Sequence, residues 1–106
     1  MKHMKDYVNL KLQLQTLPES YAERISKMLN ISLEEAMGNI LVYRKLFNAK
    51  EPKVLAWAAI DLCDTIQKCD VDGDEAYTCF KWHLCGDWLE EQNYKIIIEI
   101  ASKRFL

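Results

Sequence analysis

Cys79, His83 and Cys85 are the residues whose types could hold a metal or carry nucleophilic chemistry. Thiolate and imidazole are zinc ligands, and a thiol beside an imidazole can be activated as a nucleophile. Cys79 and His83 lie one helical turn apart and could share a face. Cys85 does not complete a set with them, and Cys63 and Cys69 lack the tight paired spacing of structural zinc sites. Small apolar packing residues are the plainer account of all four cysteines. Asp70-Val71-Asp72-Gly73-Asp74-Glu75 invites a calcium reading. A calcium loop of the EF-hand type needs Gly at its sixth position and Glu at its twelfth, and counting from Asp70 gives Glu75 and Lys81. An acidic turn and helix cap is the simpler reading. With 3 glycines in the chain, a glycine-rich phosphate loop is not expected. The expectation is therefore no enzyme, no metal and no cofactor.

A different chemistry is offered by Asn9, Lys11 and Gln13. Asn and Gln amides pair bidentately with adenine, and a Lys ammonium donates to guanine, at base edges in the major groove. These three alternate with Val8, Leu10, Leu12 and Leu14. A period of two predicts a strand over Val8–Gln15 with one apolar face and one polar face.

The elements that follow must position that strand. Thr16-Leu17-Pro18-Glu19 changes the period, since Pro suits a first helical turn. Tyr21, Ala22, Ile25, Met28 and Leu29 predict an amphipathic helix from Pro18 to Asn30. Asn30 tolerates the left-handed conformation that ends helices. Ser32-Leu33-Glu34-Glu35 fits a capping box, and Ala36, Met37, Ile40, Leu41, Tyr43, Leu46 and Phe47 carry the next helix to about Asn48. Gly38 lowers its propensity and suggests close packing of another helix. Pro52 opens a third helix through Val54, Leu55, Ala58, Ala59, Leu62 and Ile66 to about Lys68. A fourth is predicted from about Glu75 to Gln92, loosened at Gly86. The tail Tyr94–Phe105 reads as helix, with an alternating strand as the alternative.

A lone strand leaves its edges unpaired and its leucines uncovered. Its natural partner is the same strand from a second copy, paired antiparallel about a two-fold axis. A two-stranded ribbon fits the major groove, and the start of the second helix offers free amides to a phosphate. Strand, then Leu17-Pro18-Glu19, then a helix, then Asn30-Ile31-Ser32 and a longer helix resembles the ribbon-helix-helix family of dimeric DNA-binding proteins, over about residues 7–48. The resemblance implies a mainly α fold with one N-terminal strand and two helices in an intertwined dimer. It also implies operator binding to double-stranded DNA by a transcriptional repressor. By position, Asn9, Lys11 and Gln13 would read bases, and Ile31, Ser32 and Leu33 would hold the phosphate. Val8, Leu10, Leu12, Leu14 and Ile40 would form the dimer core. Asn30 departs from the family, where Gly is frequent, and the strand's polar face carries one Lys and no Arg. A rival reading takes Arg24–Ala36 as a helix-turn-helix. It would set Glu34 and Glu35 against phosphates and leave the strand unexplained.

Two units are expected: 1–50 for dimerisation and DNA binding, and 51–106 as a small C-terminal helical unit. Charge differs between them. The first carries eight basic and five acidic residues, the second six basic and eleven acidic. The second also holds Trp57, Trp82, Trp88, Tyr77, Phe80 and Tyr94, which either pack a core or anchor a protein partner. The alternative function is thus a protein-interaction module, antitoxin-like or inhibitory, that uses no DNA. Half of the 106 residues are apolar and 28% are charged, as in a folded soluble protein. No run approaches the roughly 18 apolar residues of a membrane span, and the first residues, MKHMKDYV, lack a signal-peptide core. A cytoplasmic location, without disulfides, is the expectation.

Overall fold

The computed structural model describes residues 21–106. Within them the chain is all helical: α1 (Tyr21–Leu29), α2 (Leu33–Phe47), α3 (Pro52–Gln67), α4 (Gly73–His83) and α5 (Glu91–Phe105). No strand occurs among the described residues. This corrects the expected fold class: the architecture is helical, and a ribbon-helix-helix built on a strand is not what the structure shows. The expected strand Val8–Gln15 lies outside the described residues.

The chain divides into two compact units, Met1–Val42 and Tyr43–Leu106. In the first, α1 buries Ala22 and Ile25, and α2 buries Ala36, Met37 and Ile40. The turn between these helices follows from Asn30, whose φ is +55°. There the Ile31 amide donates to the Ser26 carbonyl at 3.0 Å and the Asn30 amide to the Lys27 carbonyl at 3.4 Å. This is the Schellman arrangement, with Asn at the left-handed position that Gly usually takes. Ser32 then caps α2, its Oγ accepting from the Glu35 amide at 3.1 Å. Gly38 is a second correction. Among the described residues a Cβ built there meets nothing within 4 Å, so none of the described helices packs closely on it.

In the second unit, α3, α4 and α5 pack on one another, α3 most extensively against α5. The core holds Leu55, Ala58, Leu62 and Ile66 from α3, Ala76 and Phe80 from α4, and Ile97 and Ala101 from α5. The last turn of α2 contributes Tyr43 and Phe47. Aromatic rings run through this core. Tyr43 and Phe47 stack at 5.7 Å, Phe47 meets Phe80 at 6.5 Å, and Phe80 meets Phe105 edge-on at 6.2 Å. Asn93, in the first turn of α5, donates to the carbonyls of Phe47 at 2.9 Å and Ala49 at 3.4 Å. It thereby satisfies carbonyls that the end of α2 leaves open.

Pro52 opens α3 as expected. The acidic turn before α4 is a cap, with Asp72 Oδ1 accepting from the Glu75 amide at 2.9 Å. The fourth helix is shorter than its pattern suggested. It stops at His83, and a corner over residues 84–90 contains Gly86 at φ +118°. Glycine at a positive φ ends the helical run outright instead of loosening it. The tail is helix, not strand.

Candidate functional site

The α3 helix has two contrasting sides. Its buried side is Leu55, Ala58, Ala59, Leu62, Cys63 and Ile66. At 3.6 residues per turn, Lys53, Ala56, Trp57, Ile60 and Asp64 fall on the opposite side. That outer stripe is where polar residues belong, yet it carries Trp57 at 60% exposure and Ile60 at 39%. Lys53 is exposed before them, and Asp61 and Asp64 are exposed after them.

The two aspartates tie this stripe to its own unit. Tyr43 Oη donates to Asp61 Oδ2 at 2.7 Å. Arg104 of α5 pairs with Asp64. Burial, followed by the Asp61 hydrogen bond, holds the Tyr43 phenol above its ordinary pKa. Tyr43 therefore stays a neutral donor and keeps Asp61 in place. The result is a rigid helix face with an aliphatic and aromatic centre, a cation toward its N-terminal end and carboxylates toward its C-terminal end.

Beneath the face, the thiols of Cys63 and Cys79 and the imidazole of His83 are buried in the packing. His83 is fully buried, edge-on to Tyr43 at 5.8 Å. Its Nδ1 lies 3.3 Å from the Cys79 carbonyl. Burial pushes the imidazole down to about 4, opposed in part by that carbonyl. The same burial pushes the Cys79 thiol up to about 12 and the Cys63 thiol to about 11. Neutral thiols and a neutral imidazole are the reverse of an activated nucleophile and its base. All four cysteines are free thiols, with Cys69 and Cys85 half-buried. Among the described residues, no group of three or more His, Cys, Asp or Glu side chains could hold a metal ion. No helix among them is long and apolar enough to cross a membrane.

The residues singled out for DNA contact fall in two places. Asn9, Lys11 and Gln13, with the core positions Val8, Leu10, Leu12 and Leu14, lie outside the described residues. Ser32 and Leu33 are exposed at the start of α2, Ile31 is half-buried, and Ile40 is buried. The residues that pattern reading did not assemble are Trp57 and Ile60. They lie off the apolar stripe of their own helix, and large side chains off the stripe of an otherwise regular amphipathic helix were the available signal. No protein-family model, curated protein or solved structure matches this chain.

Proposed function

We propose that this protein is a protein-interaction module that works by docking the outer face of α3 on a protein partner. The observation that supports this is the exposed Trp57–Ile60 pair on a helix already anchored on its other side. Tryptophan is among the residue types that dominate binding energy at interfaces. Covering an exposed indole is worth roughly 2–3 kcal/mol. The helix needs no ordering on binding, because Leu55, Leu62 and Ile66 hold it in the core. Sequence-specific DNA recognition by a paired strand is not retained, since that reading required the ribbon architecture corrected above.

A photo-crosslinking phenylalanine at position 57, expressed in the host cell, tests the module. The expected result is a discrete light-dependent adduct that is lost when Ile60→Asp is added. The adduct should also be absent when the probe sits at position 99, on the exposed side of α5. No adduct at 57, or equal adducts at both positions, would remove the reading. Retention of random duplexes in a gel shift, with steep salt dependence, would replace it by DNA binding.

A further inference from the structure

We infer that the occupant of the α3 face is a second copy of this chain, packed antiparallel about a two-fold axis passing between Trp57 and Ile60. The inference rests on the reading of this face as a docking surface and adds what docks there. Its basis is the order of residues along the stripe. Lys53 stands four residues before Trp57, and Asp64 stands four residues after Ile60. A two-fold axis midway between Trp57 and Ile60 therefore exchanges those two residues and also exchanges Lys53 with Asp64. Each indole lands on the partner's isoleucine, and each ammonium lands on a carboxylate, twice by symmetry.

A parallel arrangement would lose this match, setting Lys53 against Lys53 and Asp64 against Asp64. Charge order thus selects the antiparallel pair, which is the usual contribution of rim charges to specificity. Lys53 and Asp64 are both exposed, so neither must leave a buried site to meet its counterpart. The Asp64 carboxylate keeps Arg104 as a neighbour and has lone pairs for a second donor. The apolar centre is small beside the roughly 800 Å² per partner of a standard interface. Association is accordingly expected to depend on concentration, with the single chain predominating when dilute.

Sedimentation velocity over about a hundredfold range of concentration tests this. The wild-type chain is expected to shift from one-chain to two-chain particles as concentration rises. Lys53→Glu alone and Asp64→Lys alone should each weaken self-association by about tenfold, because each places like charges opposite one another. Mixing these two variants should restore association as a one-to-one heterodimer, since every facing pair is then opposite in sign. Asp64→Lys also loses its Arg104 contact, but that loss cannot produce rescue on mixing, so the mixture decides. Trp57→Ala, at a side chain that is 60% exposed, should stay a single chain at every concentration, with the helical circular dichroism signal retained. A wild type that sediments as one chain throughout, or a mixture no tighter than its components, overturns the self-pairing. If the position-57 probe then still marks a different protein, the module reading survives alone. An adduct of twice the chain's mass supports both, and no adduct removes both.

Discussion

Arg44 lays its guanidinium over the Trp88 ring, 4.6 Å from the ring centroid, and both side chains donate to one acceptor, the Cys85 carbonyl. The Trp88 indole reaches it at 2.7 Å and Arg44 Nη2 at 3.3 Å. A C-terminal residue of α2 is thereby locked to the corner that ends α4. Half-buried, Arg44 has its pKa lowered, with loss of solvent as the main cause, so the stack and the carbonyl stand in for water. Arg44→Ala should destabilise the fold by about 1–2 kcal/mol and Trp88→Ala by about 2–3 kcal/mol. The double variant should fall short of the sum by about 0.5–1 kcal/mol, the share that belongs to the stack. Urea denaturation of the four proteins measures it. Full additivity would mean that the two side chains act separately.

His83 makes stability depend on pH in a defined direction. An unfolded imidazole takes up its proton near 6.5, whereas the buried ring does so only at about 4. Between those values the unfolded chain binds more protons, so stability is complete above pH 6.5 and falls as the pH drops toward 4. The expected loss across that window is about 3 kcal/mol. The carboxylates that titrate at its acidic end are shared with a His83→Gln control. That variant should be less stable at neutral pH and show a shallower slope between pH 6.5 and 5. Denaturation midpoints at half-unit pH steps decide the matter, and parallel curves for the two proteins would rule out His83 as the cause.

The helical part of the fold was readable because its signals are local. Asn30 marked the left-handed turn, Ser32 and Asp72 marked caps, and Pro52 marked a start, each through a bond or a dihedral confined to a few residues. The corner after His83 was not readable. The apolar pattern runs on through Leu84, Trp88 and Leu89, and what stops the helix is the φ of Gly86 together with Arg44, some forty residues away. The outer face of α3 was hidden for a related reason. By type Trp57 could pack a core or anchor a partner, and the packing of α5 and α4 on the other side of α3 decides which side is left to solvent. The alternation at Val8–Gln15 carried the most weight in the sequence reading, although the pattern alone supplies no partner for the strand.

Two glycines should answer the same substitution with opposite signs. Gly38 lies inside α2, and a Cβ built on it meets nothing within 4 Å among the described residues. Gly38→Ala should raise stability by about 0.5–1 kcal/mol, because alanine restricts the unfolded chain and strains nothing in the helix. Gly73 opens α4, where a Cβ would clash with the Phe105 carbonyl oxygen at the end of α5. No side-chain rotation relieves a clash with backbone, so one helix end must shift. Gly73→Ala should cost about 1–3 kcal/mol. The Phe80–Phe105 contact, 6.2 Å between ring centroids, should loosen with it. Thermal melts of the two variants give the signs directly. A destabilised Gly38→Ala would mean that this face of α2 is covered in solution, and a neutral Gly73→Ala would mean that α4 and α5 do not approach this closely.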